Sequence, residues 1–123
     1  MRLLVSEKSD HPLLINVGRS YYEELMRFGV KIFEYDQGID HAKVTLVDDE
    51  WLMVGSANFD IRSMRLNFEL NLLFHSPDQN AVLARILEAD FALCVEISPS
   101  VFARRPFRQK FAEAALRPLS PML

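Results

Sequence analysis

His41-Ala42-Lys43 sets an imidazole and an ammonium two residues apart, and Ser56-Ala57-Asn58 sets a hydroxyl and an amide at the same spacing. On extended chain that spacing sends both members of a pair to one face. Four such groups brought near one point suit a phosphoryl group that passes through a covalent intermediate. A nucleophile attacks phosphorus while cations and amides hold the oxygens on which negative charge builds. The constellation reads as a phosphodiester-handling site.

The full spacing is His-x-Lys-x4-Asp-x6-Gly-[Ser/Thr]-x-Asn, from His41 through Lys43 and Asp48 to Gly55, Ser56 and Asn58. With residue usage of about 5% per type, chance supplies it on the order of once per ten million start positions. Single members are ordinary: a lone His or Lys is a solvated strand residue, and Gly-Ser-x-Asn passes for a turn. The complete spacing carries the inference. Within it His41 is the expected nucleophile, because a neutral imidazole, with an unperturbed pKa near 6.5, can attack phosphorus at physiological pH. Lys43, Ser56 and Asn58 are the expected ligands of the non-bridging phosphoryl oxygens.

The elements around these residues follow from hydrophobic period and punctuation. Residues 2–6 read as a short buried strand. Asp10 caps a helix over 12–28, stopped by Gly29, whose Leu14, Val17, Tyr21, Leu25 and Phe28 share one face toward a sheet. Residues 30–35 alternate as a strand broken by Asp36-Gln37-Gly38. Strands over 42–47 and 51–55 form an antiparallel hairpin about Asp48-Asp49-Glu50. Residues 58–65 are a loop or short helix, and 67–74 a strand on which Asn67, Glu69 and Asn71 share a face. Ser76 caps, Pro77 begins and Gln79 completes the capping box of a helix running to about 97. Ser98-Pro99-Ser100 ends it, and Pro106 opens a last helix to about 116. The pattern predicts an α/β fold, a mixed β-sheet flanked by helices, beginning abruptly on a strand as though earlier strands of the sheet were missing.

Composition supports a globular domain: half of the 123 residues are apolar and 25% are charged. The single Cys94 excludes an internal disulfide and reads as a small buried hydrophobe within a helical pattern, suited to a reducing compartment. No apolar run reaches the roughly 18 residues needed to span a bilayer, and no signal peptide opens the chain. The most apolar stretch, 81–97, is interrupted by Arg85, Glu88, Asp90 and Glu96 and is amphipathic. Three histidines without ligand spacing imply no metal, and no nucleotide fingerprint implies a cofactor. His11 and His75 read as an exposed and a structural residue.

Charge is unevenly distributed. Residues 1–97 hold 9 basic and 16 acidic side chains, while residues 98–123 hold five basic ones (Arg104, Arg105, Arg108, Lys110, Arg117) and one acidic, Glu113. An acidic body makes nucleic acid an unlikely partner, since duplex affinity comes largely from phosphate neutralisation. The basic tail, with Phe102, Phe107 and Phe111, either lies against an anionic membrane surface or is a solvated helix whose phenylalanines pack on the domain.

The spacing from His41 to Asn58 resembles the HKD signature of the phospholipase D superfamily. The wider stretch from Gly29-Val30 through Asp40-His41-Ala42-Lys43, Val54-Gly55-Ser56-Ala57-Asn58 and Arg62-Ser63 to Leu66-Asn67-Phe68-Glu69 is similar to bacterial cardiolipin synthases, as is the closing Leu119-Ser120-Pro121-Met122-Leu123. The resemblance covers the C-terminal part of such an enzyme and implies one partial phospholipase D-like domain over 1–123, of α-β-α layers, with 98–123 as a basic helical tail. It implies a phosphatidyltransferase that works through a phosphohistidine and moves a phosphatidyl group from one phosphatidylglycerol to another. Family members carry two HKD copies and this chain carries one, so it reads as a fragment that needs a second half, which could come from another chain or a homodimer. The implied location is peripheral, on the cytoplasmic face of the bacterial inner membrane. A small dimeric HKD nuclease or phosphodiesterase, and a non-catalytic truncated remnant, are the alternatives.

The resemblance counts His41, Lys43, Asp48 and Glu69 as catalytic. Glu69 matches an acid that orients the nucleophilic imidazole through its second N–H; the competing reading is a Glu paired with Arg62 or Arg65. Asp48, seven residues past His41, points away from it on a straight strand and is expected to shape the turn or pair with a basic group. Arg62 and Arg65 are either headgroup phosphate ligands or ion-pair partners of Asp60 and Glu69.

Overall fold

A computed structural model describes residues 1–9 and 12–121, so the expected Asp10 cap and the placement of His11 lie outside the described residues. In chain order its elements are β1 (Arg2–Ser6), α1 (Pro12–Arg19), α2 (Tyr22–Arg27), β2 (Lys31–Tyr35), β3 (Val44–Val47), β4 (Trp51–Gly55), α3 (Ile61–Arg65), β5 (Asn71–His75), α4 (Pro77–Ala92), β6 (Cys94–Glu96), α5 (Pro99–Phe102), α6 (Phe107–Leu116) and a 3-10 turn, Arg117–Leu119. The α/β class holds, but the strands make two three-stranded sheets where one was expected. The chain divides into two units: residues 1–40 with 93–123, and residues 41–92.

In the first unit β2 is central, parallel to β1 and antiparallel to β6. The helix expected over 12–28 breaks into α1 and α2. Gly18 is a poor helix former, and the Ser20 hydroxyl donates to the Val17 carbonyl at 2.6 Å, competing with the helical ladder. The break shifts the helical phase, so Tyr22 is buried while Phe28, expected to face a sheet, is 80% exposed. Gly29, at φ +79°, ends α2 as expected: its N–H bonds the Met26 carbonyl and the Val30 N–H bonds that of Leu25, a Schellman closure. Tyr22, Val30, Ile32 and Phe102 form the core, with Leu3, Val5, Leu25, Met26 and Ile97 against it.

Residues 94–96, expected in a helix that runs to 97, instead pair with Phe33–Tyr35. Leu-Cys-Val-Glu-Ile satisfies either period locally, and the unpaired edge of β2 decides it. Cys94 is therefore a half-buried strand residue. Charged side chains tie the helices to this core. Glu34, buried on β2, accepts from Tyr22 at 3.1 Å and pairs with Arg19 at 3.1 Å; burial pushes its carboxyl above the usual range against the pull of Arg19. Arg105 lies 4.0 Å over the Phe102 ring and bonds the buried Glu113 at 2.8 Å and Glu23 at 2.5 Å. The inner face of α6 is thereby fixed.

The second unit is an antiparallel meander, β3-β4-β5, with α4 against β4. Asp48 and Asp49 both take left-handed conformations, φ 52° and 55°, and the Glu50 N–H closes on the Val47 carbonyl. Asp tolerates this region because its short polar side chain bonds locally. Ser76 caps α4 as expected, accepting from the Gln79 N–H at 3.4 Å, but the expected capping box is not closed by Gln79, because the Ser76 N–H bonds the Glu50 carbonyl at 2.8 Å. Asn80 is buried and donates to the Trp51 carbonyl at 2.7 Å, pinning α4 to the start of β4. His75 ends β5 with its ring 4.6 Å from Trp51 and its Nε2 3.6 Å from Glu50. Among the described residues no helix is long and apolar enough to cross a membrane.

Candidate functional site

All of the chemistry-bearing residues picked out by spacing fall within the second unit. β3 starts at Val44, two residues later than expected, so His41 stands in the irregular segment that leads into it. The imidazole is exposed and has no hydrogen-bond partner among the described residues. Lys43 is half-buried. Its carbonyl accepts the Gly55 N–H at 3.2 Å, extending the ladder by one bond, and its Nζ turns back to the His41 carbonyl at 2.6 Å. The ammonium is thus held beside the backbone of the expected nucleophile.

Beyond β4 the backbone turns at Gly55, and this glycine is required. A Cβ there would lie 2.4 Å from the Leu70 carbonyl oxygen and 2.7 Å from the Cα of Asn71, its β5 partner. Both are backbone atoms that cannot swing aside. Gly55→Ala is expected to cost about 1–3 kcal/mol in a urea titration. Displacement of Ser56 and Asn58 should lower turnover about tenfold or more.

Ser56 is the hub of the site. Its N–H bonds the Leu70 carbonyl at 3.0 Å, its Oγ accepts the Leu70 N–H at 3.0 Å, and its hydroxyl donates to Glu69 at 2.5 Å. The other Glu69 oxygen accepts from Asn67 at 3.2 Å, and the Asn67 carbonyl accepts from Arg62 Nε at 3.2 Å. The result is a chain Arg62–Asn67–Glu69–Ser56. Asn71 joins it, its Oδ1 accepting from the Ala57 N–H at 3.4 Å.

This geometry corrects the expectations for Glu69 and Ser56 and meets the one for Asp48. Glu69 is not on a strand, because β5 begins only at Asn71; the Ser56 bonds to both backbone groups of Leu70 hold 67–70 as a loop. Its carboxylate meets Ser56 and Asn67, with no hydrogen bond to His41 and no ion pair with Arg62 or Arg65 among the described residues. Ser56 has one hydroxyl proton and gives it to Glu69, so in this state it steadies a carboxylate and has no donor left for a phosphoryl oxygen. Asp48 lies in the left-handed turn at the far end of β3, removed from His41 by a four-residue strand, roughly 13 Å of extended chain. It shapes the hairpin, as its odd offset predicts, and cannot share a phosphorus with His41.

Arg62 is engaged by Asn67, not by Asp60 or Glu69; Asp60 is the N-cap of α3, its Oδ1 accepting from the Ser63 N–H at 2.7 Å. Arg65 and Asn58 are exposed and have no side-chain partner among the described residues. Asn67, missed as a site residue, bridges Arg62 to Glu69. Its position two residues before the acid was the available signal. No three His, Cys, Asp or Glu side chains among the described residues form a metal-binding group.

Hydrogen bonds from Ser56, then Asn67, with a smaller contribution from the Lys43 charge, hold the Glu69 carboxyl below its ordinary range. A folded value below the unfolded one means that this link contributes fully above the ordinary Glu range and is lost as pH falls through the folded value. Ser56→Ala should therefore move the Glu69 titration upward, as read from its carboxyl carbon shift; an unmoved titration would show that the hydroxyl is not what holds it.

Comparison with known proteins adds the following. A family model described as "Cardiolipin synthase, PLD-like domain" matches residues 1–91. The cardiolipin synthase of Geobacillus kaustophilus is 42% identical over the whole chain, which covers 24% of that protein, and that of Listeria monocytogenes serotype 4a is 39% identical, with 26% covered. The chain thus spans about a quarter of the length of these curated relatives. Among solved structures, a phosphatidylserine synthase of Haemophilus influenzae matches with a TM-score of 0.69 over 99% of this chain and 35% of that one, at 16% identity. The phospholipase D family member Nuc of Salmonella typhimurium matches with a TM-score of 0.63 over 78% of this chain and 62% of that one, at 17% identity. These structural likenesses establish the fold.

Proposed function

The chain belongs to the family of cardiolipin synthase PLD-like domains, and on that premise we propose that it carries one half of a phosphatidyltransferase site, with His41 as nucleophile. The observation that carries this reading is the exposed, unpartnered imidazole of His41, in a segment whose backbone carbonyl at His41 holds the Lys43 ammonium at 2.6 Å.

A neutral ring nitrogen of His41 attacks the phosphorus of one phosphatidylglycerol. The bond from phosphorus to the glycerol headgroup breaks, the headgroup leaves as an alcohol on taking a proton, and the phosphatidyl group remains as a phosphoramidate on His41. A hydroxyl of a second phosphatidylglycerol then attacks, the phosphorus–nitrogen bond breaks, and cardiolipin leaves. The acid that protonates the headgroup becomes the base that deprotonates the acceptor. In this reading it is the histidine of a second HKD half, brought by another chain or by a homodimer about a two-fold axis. Lys43 and Asn58 bind the non-bridging oxygens. Arg62 and Arg65 present guanidinium groups to the headgroup phosphate, Arg62 while its Nε stays on Asn67. Glu69, ionised and held by Ser56, supplies a fixed negative charge that favours the imidazolium-like transition state; accepting the second His41 N–H requires it to leave Ser56 or Asn67. Asp48 serves the turn.

In this reading the chain works peripherally, at the cytoplasmic face of a bacterial membrane. The test is to incubate the paired protein with phosphatidylglycerol vesicles, denature it in detergent at neutral pH, and map the adduct by mass spectrometry. A phosphatidyl group on His41 is expected. A verified pair that yields none, yet turns over lipid, would overturn the assignment.

A further inference from the structure

The three phenylalanines of the basic C-terminal segment do not share one fate. Phe102 is in the core of the first unit, 4% exposed, whereas Phe107 and Phe111 stand out from α6 at 78% and 66%, their rings 6.4 Å apart. They lie one helical turn apart on the face opposite Glu113, which is buried against Arg105. Val101 is 70% exposed just before them. The cations divide in the same way. Arg105 is tied to Glu23 and Glu113, and Arg117 to Glu24, while Arg104 and Arg108 have no side-chain partner among the described residues.

We propose that this outer face of α6, with Phe107, Phe111 and Arg108, together with the exposed Arg104 in the turn before the helix, docks on an anionic phospholipid surface. Charge complementarity selects that occupant. A face meant for the domain's own core would not carry two unpaired guanidinium groups, and one meant only for water would not carry two aromatic rings at one-turn spacing. Rings that enter the acyl boundary while arginines stay among phosphates is the interfacial arrangement of an amphipathic helix. The inference rests on the first unit alone and not on the transfer chemistry.

The test is co-sedimentation of the full chain with phosphatidylcholine vesicles, with and without phosphatidylglycerol. Binding should require the anionic lipid. Phe107→Ser with Phe111→Ser, and separately Arg104→Glu with Arg108→Glu, should each weaken it about tenfold or more, with unchanged circular dichroism. Phosphatidylserine in place of phosphatidylglycerol should support binding equally, which separates this surface from the transfer chemistry, so loss of one proposal leaves the other standing. Binding indifferent to phosphatidylglycerol, or untouched by both double substitutions, would overturn the proposal. So would a parent dimer that the phenylalanine substitutions convert to monomer, which would give the face to a second copy.

Discussion

His41→Ala is expected to abolish phosphatidyl transfer, lowering turnover by about four orders of magnitude or more, as for other enzymes that lose their covalent nucleophile. The residue before it is an aspartate and the one after it an alanine. Lys43, the nearest amine, is an ammonium engaged with a carbonyl and has no free electron pair. The same substitution should leave the fold intact within about 0.5 kcal/mol, because the ring is exposed and bonds nothing among the described residues. Conversion of phosphatidylglycerol to cardiolipin by the paired protein is one readout, and the trapped adduct is the other. Activity within tenfold of the parent, or an adduct that persists without the imidazole, would reject His41 as nucleophile.

Lys43→Met and Asn58→Ala are expected to lower turnover about 10² to 10³-fold each, the range seen when one donor to a developing oxyanion is removed. In the proposed mechanism both groups bind oxygens whose charge grows as the bond order at phosphorus changes. The losses should therefore fall on kcat and kcat/KM alike and leave KM nearly unchanged. Lys43→Arg should recover little, because a planar fork cannot replace a point charge on a short reach to phosphorus. Loss confined to KM would mean that these side chains hold substrate and transition state equally.

Much of what was legible in the chain is local. The left-handed stop at Gly29, the cap at Ser76, the hairpin turn about Asp48-Asp49 and the start of α6 after Pro106 are read from a few adjacent residues, because φ preferences and side-chain caps act within one turn. Helix ends were less legible. A helix to 97 and a hairpin of strands over 42–47 and 51–55 are equally good local readings; the hairpin forms, with its first strand starting at Val44, whereas the helix stops at Ala92. Residues 94–96 were lost to α4 because the edge of β2, some sixty residues earlier, offers them a ladder.

The sequence by itself determined which groups are on offer for chemistry: an imidazole, an ammonium, an amide and a glycine at a spacing that chance does not supply, on a chain whose apolar stretches are all interrupted by charge. Only the tertiary structure decided how that chemistry is held. The β4–β5 register sets Gly55 opposite Asn71 and so brings Ser56 to Glu69, thirteen residues on, which turns the serine from an expected phosphate ligand into the partner of a carboxylate. It also decided that Phe102 goes in while Phe107 and Phe111 stay out. The physical reason is common to both. Composition and period state what a residue can satisfy locally, whereas strand register and helix phase, set by contacts distant in sequence, state what it meets.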